Sequence, residues 1–202
     1  GLLAFWRFET MAAGKVPDHS SNGRDLTLQS VAGKPDLVAG RLGQCLDFDA
    51  GGGYLKYMPD AAFRTALEGN CTVSAWGFSY VAGTALGSDM AYLFDVGDSH
   101  GKGLGMFFNK SHGLAAGGAL GAYRAGKSAH VGWAAAGEWF HAVLVVDGAQ
   151  QKIYRDGKLA GTAAAGEITL AASREFRVGT ESKAPQRFWN GKIDEVAVWG
   201  RA

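Results

Sequence analysis

Two acids stand side by side near the end of the chain, Asp194 and Glu195, inside the run "NGKIDEVAVWG". Paired carboxylates can cleave a glycosidic bond, hold a cation, or accept hydrogen bonds from backbone. The residues that follow, Val196, Ala197, Val198 and Trp199, read as a strand packed on at least one face. Regular alternation predicts that Asp194 shares a face with Val196 and Val198, and Glu195 with Ile193, Ala197 and Trp199. A carboxylate at the lip of an apolar face is costly unless it finds donors or a cation. All three roles are open at this point: catalyst, metal ligand, hydrogen-bonded strut.

A second cluster is "DHSSNG", residues 18–23, an acid followed by small polar residues and a glycine. Such a loop can turn carboxylate, amide and carbonyl oxygens inward, the donor set a hard cation such as calcium takes in groups of six to eight. An Asx-turn at Asp18 is the simpler alternative. The five histidines are dispersed and form no Cys/His cluster with transition-metal spacing. No Ser-His-Asp or Cys-His set is marked by spacing. Cys45 and Cys71 each lie in a strand-like segment, which leaves a disulfide and two buried thiols as equal readings. Asn70-Cys71-Thr72 and Asn109-Lys110-Ser111 match the glycosylation pattern, the first in a strand where a glycan fits badly.

The elements that must position these residues are strands. Runs such as 2–8, 24–28, 44–48, 54–58, 71–80, 91–97, 103–109, 139–147, 151–157, 158–164, 175–180 and 191–199 are apolar or alternating. Asp147-Gly148 and Asp156-Gly157 mark turns between them. Only 60–69, "DAAFRTALEG", suggests a helical turn or two. The Gly/Ala-rich segment 110–137 reads either as strands of small residues or as edge loops, and Trp133 within it either caps the core or stacks on a sugar. About a dozen strands at this spacing predict an all-β antiparallel sandwich or barrel. With 47% apolar residues, 202 residues suffice for one such domain. A net charge of +1 with scattered basic residues excludes an electrostatic nucleic-acid binder, and no apolar run is long enough to enter a membrane.

In order along the chain, "AFWRFE" (4–9), "DHSSNGRDLTL" (18–28), "GRLGQCLDFDAGGGYLKY" (40–57), "CTVSAWGF" (71–78), "EWFHAVLVVDGAQQKIYRDGKLAG" (138–161), "FRVGT" (176–180) and "FWNGKIDEVAVWGRA" (188–202) resemble the laminin-G-like branch of the concanavalin A-like jelly-roll family. The resemblance spans both ends of the chain. It implies a two-sheet antiparallel β-sandwich over residues 1–202, a single domain excised from a larger protein. It also implies a structural calcium ion bridging the N-terminal loop (Asp18, Ser20, Asn22, Gly23) to Asp194 on the last strand. Ser21 stands where the family pattern has glycine. Glycanases on this fold carry Glu-x-Asp-x-x-Glu along a central strand. Here positions 190 and 192 are Asn and Lys, so the first Glu is missing and no catalysis is expected.

The fold hosts lectins, adhesion modules, glycanases and spacers, so fold alone does not name a function. The expectation is a non-catalytic carbohydrate-recognition or adhesion module of an extracellular, cell-surface or periplasmic protein. Its partner would be a glycan or a cell-surface or matrix protein, with no nucleic acid and no membrane insertion. A structural or protein-interaction module and a glycan-processing enzyme are the rivals. Exposed aromatics on a sheet face would point to sugar, and a flat apolar patch to protein. Among the histidines, His141 shares a face with Trp139 and is expected to be a buried structural residue.

Overall fold

The alternation in Cys71–Ser79 sets the architecture: Val73, Ala75 and Gly77 point one way, Thr72, Ser74, Trp76 and Phe78 the other. A computed structural model describes residues 1–48, 51–97, 102–110 and 118–202. The strands in chain order are β1 (Leu2–Trp6), β2 (Lys15–Val16), β3 (Leu26–Ser30), β4 (Asp36–Ala39), β5 (Gln44–Asp47) and β6 (Gly53–Tyr57). Helix α1 (Ala61–Glu68) leads to β7 (Cys71–Ser79), β8 (Met90–Val96), β9 (Leu104–Asn109), β10 (Ala119–Arg124) and β11 (Lys127–Val131). The chain ends with β12 (Trp139–Asp147), β13 (Gln150–Arg155), β14 (Lys158–Ala164), β15 (Phe176–Val178) and β16 (Gly191–Trp199).

They form two antiparallel sheets of eight strands. The front sheet runs β14-β13-β12-β7-β16-β5-β4, with β1 also paired to β16. The back sheet runs β11-β10-β9-β8-β15-β6-β3-β2. One apolar core lies between them, with Trp6, Phe94, Phe108, Phe140, Phe176 and Trp189 at most 1% exposed. Phe94 stacks on Phe176, with ring centroids 5.8 Å apart, and Phe108 on Phe140 at 5.3 Å. The two core indoles are anchored: Trp6 donates to the Arg24 carbonyl at 2.7 Å, and Trp189 to Phe78 and Lys192 carbonyls at 3.3 Å. Trp133 caps this core edge-on to Phe140, with the Arg155 guanidinium 4.1 Å above its ring.

The expected helical turns form α1, capped by Asp60, whose carboxylate accepts from the Phe63 N–H at 2.8 Å. Strands β2 and β4 lie outside the expected runs, whereas β10 and β11 settle the open reading of segment 110–137 in favour of strands of small residues. The latter two come from the Gly/Ala-rich segment, where Gly121 is small because a Cβ there would meet the Phe107 ring at 2.8 Å. Residues 111–117, with the second half of the Asn109 glycosylation pattern, lie outside the described residues. Both cysteines are buried and unpaired, so the disulfide reading gives way to two apolar thiols. Strands β5 and β7, which carry them, are separated by β16. Burial pushes the Cys45 thiol up to about 12 and that of Cys71 to about 11.

Candidate functional site

The two acids that open the last strand sit at a junction. β16 pairs along one edge with β7, while its other edge is shared: β5 takes Lys192 and Ile193, and β1 takes Val196 to Trp199. Between them, from Asp194 to Ala197, the register with β7 shifts by a β-bulge in which Glu195 has φ of +50°. The bulge corrects the expected alternation. Ile193, Val196 and Val198 all face the core, and both acids fall on the outer side.

Asp194 lies opposite Trp76 and is fully buried beneath the turn at residues 40–43. Its Oδ2 accepts from the N–H groups of Arg41 and Leu42 at 2.9 and 3.0 Å. Its Oδ1 is buried without a partner among the described residues. Burial raises this carboxyl to about 6, opposed by the backbone N–H groups of Leu42, Arg41 and Glu195 and assisted by the Glu195 charge. A side chain on Gly40 would strike Oδ2, because a Cβ there lies 2.8 Å from it.

Asp18 is placed differently. Its oxygens accept from the N–H of Phe5, Ser20 and Arg24 and from the Ser20 hydroxyl, all at 2.8–3.0 Å. Burial works against the charge, yet these bonds outweigh it and hold the carboxyl below its usual range. The Asn22 amide donates to the Leu2 and Leu3 carbonyls at 3.2 and 3.0 Å. Asp18 and Asn22 therefore knit the 18–23 loop to β1, while Asp194 braces the 40–43 turn; no hydrogen-bond partner is common to the loop pair and Asp194. Among the described residues no three His, Cys, Asp or Glu side chains gather as a metal-holding group. Both Asp18 oxygens already accept from protein donors, which does not suit a cation in this arrangement, whereas the Asn22 bonds are made by its amide nitrogen. Asp194 alone keeps a free buried oxygen.

The turn that Asp194 holds is the wall of a groove on the outer face of the front sheet. Arg41 lies 4.9 Å over the Trp76 ring, and Leu42 lines the groove. The floor is made of the small residues Ser74 and Ala197, which are register partners on β7 and β16. Trp76 stands at one end of the floor beside His141, ring centroids 5.0 Å apart. Trp199 stands at the other, opposite Thr72. Four residues of strand separate the Trp76 and Trp199 levels, roughly 13 Å. Two adjoining hollows of about 320 and 420 Å³ share Ser74, His141 and Trp199. Phe5 and Leu2 of β1 form the far side of the first.

Unlike the core indoles, Trp76 and Trp199 are partly exposed, and their N–H groups have no acceptor among the described residues. The Ser74 hydroxyl is likewise without a hydrogen bond among them. His141 is thus not the buried residue expected; it is partly exposed on the outer face, with burial lowering its pKa so that the ring is neutral near pH 7. Glu195 lines the same hollow and accepts from Arg7 at 3.5 Å. Its carboxyl is raised by burial, a shift that Arg7 partly offsets. A separate hollow of about 290 Å³ contains Phe48 and Trp189, but these are 3% and 1% exposed, so their ring faces are closed to a ligand. Sequence reasoning singled out neither Trp76 nor Trp199 as a site. The signal was present in the even positions 72–80, Thr-Ser-Trp-Phe-Tyr, whose aromatics line up on the face opposite Val73 and Ala75.

Among the solved structures that share this architecture are the following three. Domain 4 of AbnA, a GH43 extracellular arabinanase from Geobacillus stearothermophilus in complex with arabinotriose, has a TM-score of 0.70 at 18% identity, covering 98% of this chain and 91% of that one. Trypanosoma rangeli sialidase in complex with sialic acid gives 0.68 at 16% identity, covering 100% of this chain and 31% of that one. The binding domain of Paraclostridial Mosquitocidal Protein 1 gives 0.61 at 12%, covering 100% and 49%. At such identities the likeness is one of fold, and the chain spans less than a third of the sialidase. No curated protein matches the sequence. A laminin-G family model, described as the concanavalin A-like lectin/glucanases superfamily, matches residues 49–202, and the chain belongs to that family.

Proposed function

We propose that this domain is a non-catalytic carbohydrate-binding module whose glycan lies in the groove across the outer face of the front sheet. The observation that carries this reading is the pair of indoles, Trp76 and Trp199, flanking a floor of Ser74 and Ala197. Ring faces stack on the C–H surfaces of a sugar, and small floor residues let the sugar ring descend between them. The neutral His141 ring, the Ser74 hydroxyl and the Glu195 carboxylate supply polar partners around that apolar platform, the mixture a small-ligand site uses. The arabinanase domain was determined with arabinotriose and the sialidase with sialic acid, which supports a sugar ligand for this fold without naming one. Secretion or surface display fits such a role and is part of the proposal.

The test is calorimetric titration of the domain with a panel of oligosaccharides, repeated for Trp76→Ala and Trp199→Ala. Removing either indole is expected to weaken binding by about 2 kcal/mol, roughly thirtyfold, as for a central aromatic anchor. Binding that survives both substitutions unchanged would place the glycan elsewhere.

The structural calcium implied by the resemblance stays a proposal, and Asp194 brings to it a buried oxygen without a partner among the described residues. Calcium at about a hundred times its dissociation constant adds about 2.7 kcal/mol of stability. Thermal unfolding of chelated protein, with and without added calcium, reads this directly. No shift in wild type, or an equal shift in Asp194→Asn, rejects a calcium ion at Asp194.

A further inference from the structure

The charge distribution of the groove narrows the class of glycan, an inference that rests on the carbohydrate reading above. In the hollow nearest Trp76, Glu195 is the charged side chain in the lining; the remaining residues are apolar, aromatic or, as with Ser74 and neutral His141, uncharged. Arg7 reaches Glu195 only at 3.5 Å and from outside the lining, with its own side chain 45% exposed. The Arg41 guanidinium stands at the groove wall, 4.9 Å from the centroid of the Trp76 ring, and is engaged there. The adjoining hollow differs, because Arg201 lines it.

Glu195 owes its place to backbone that a non-glycine residue adopts at a cost, φ of +50° inside a strand. Such strain persists where the surroundings over-determine it, and it clusters at ligand sites. Without the bulge, regular alternation would send residue 195 to the same side as Ile193, into the core. The bulge instead sets its carboxylate on the groove side, in line with Ala197 and Trp199.

A carboxylate is an acceptor only, and sugar hydroxyls are donors. Hydrogen bonds to an ionised acceptor are roughly twice as strong as neutral ones. A second carboxylate brought alongside Glu195 would meet like charge, while the guanidiniums of Arg7 and Arg41 are already engaged with Glu195 and the Trp76 ring. We propose that the groove takes an uncharged glycan segment of more than one sugar unit, with Glu195 as the residue that accepts from its hydroxyls and rejects an acidic sugar in the hollow nearest Trp76. The length follows from the roughly 13 Å between the two indole levels and from the two adjoining hollows.

The experiment titrates the wild-type domain with arabinotriose, xylotriose and cellotriose as uncharged probes. Trigalacturonate and cellotriose oxidised to carboxylates at its C6 positions are the acidic ones. The expected result is measurable binding of an uncharged trisaccharide, at least tenfold tighter than any acidic probe, with the monosaccharide weaker than the trisaccharide. Glu195→Gln keeps the shape but removes the charge. It should lower affinity for the uncharged probe about tenfold and narrow the gap to the acidic probes below threefold. An acidic trisaccharide that binds as tightly as the uncharged ones, and loses that binding in Trp76→Ala, overturns the role of Glu195 while leaving the groove as the sugar site. If no probe binds, or if binding is the same in Trp76→Ala and Trp199→Ala, the carbohydrate reading fails and this inference with it. The wild-type comparison needs no variant, so a Glu195→Gln protein that fails to fold does not protect the idea.

Discussion

The outer faces of the two sheets are both rich in aromatics, and they are built for opposite ends. On the back sheet Tyr92, Phe107 and Tyr123 are fully buried as a small cluster of their own. Around them Asp95 accepts from the Tyr123 hydroxyl, and from the Ser182 N–H and hydroxyl at 2.6 and 2.7 Å. Arg177 joins the Glu175 carboxylate to the Glu181 carbonyl at 2.7 and 2.9 Å, and Arg187 closes on Glu181 at 3.2 Å. On the front sheet Trp76, Phe78, Trp139 and Trp199 stay partly exposed, and the Trp76 and Trp199 N–H groups have no acceptor among the described residues. Counting aromatics on a face does not locate a binding site. What distinguishes the faces is whether chain covers the rings and whether their polar edges are already engaged.

The largest expected effect follows from that difference. Phe107→Ala on the covered face should cost about 3–5 kcal/mol in urea unfolding, the range for a buried ring left as a cavity. Phe78→Ala on the open face, where the partly exposed ring meets Tyr80 and Trp139 edge-on beneath the Lys192 ammonium, should cost less than half as much. Equal losses would mean that the front face is as structural as the back one.

A second comparison sets Asp194 against Asp95. Burial raises both carboxyls from 3.8 to about 6. A raised carboxyl binds its proton more tightly in the folded state. Its stabilising effect is therefore complete below about pH 4 and is lost as pH climbs through about 6. The two should together cost wild type on the order of 5 kcal/mol between pH 4 and pH 8 in the presence of chelator. Both Asp95 oxygens have donors, whereas Asp194 Oδ1 has none among the described residues. Asp194→Asn should accordingly match wild type at pH 4 and equal or exceed it at pH 8. Asp95→Ala, which strands the Tyr123 and Ser182 donors, should destabilise at both pH values. Stability curves against pH for the three proteins decide it, and a flat wild-type profile removes the premise.

The smallest effect concerns the loop that holds β1. Asp18→Ala removes the acceptor of three backbone N–H groups and should cost about 1–2 kcal/mol. Its pH signature is opposite in sign. A depressed carboxyl stabilises above its unfolded pKa near 3.8, and that contribution is lost as pH falls through the lower folded value. Melting of Asp18→Ala at pH 7 and at pH 3 should show the gap from wild type closing at the lower pH. A gap that stays the same would mean that the loop is held by something other than these charge-assisted bonds.

The sandwich itself was legible from local pattern, because strand alternation and turn residues are short-range properties. Runs such as Trp139–Asp147 and Gly191–Trp199 keep as strands the limits their pattern implies. Strands β10 and β11 were legible only as one of two readings of segment 110–137, since Gly121 fits against the Phe107 ring of the neighbouring strand and small residues carry little strand propensity of their own. The adjacent acids were visible in the sequence as a problem needing donors or a cation, and alternation assigned each to a face. Only the tertiary structure could show that β16 changes its edge partner from β5 to β1 at that point. The resulting bulge turns both acids to one side, setting Asp194 beneath a turn 150 residues away in the chain and Glu195 in a groove. Likewise the sequence determined that Trp76 and Trp199 lie on strands. Whether such a ring is covered depends on which distant segments pack over its face, and that is a property of the assembled sandwich.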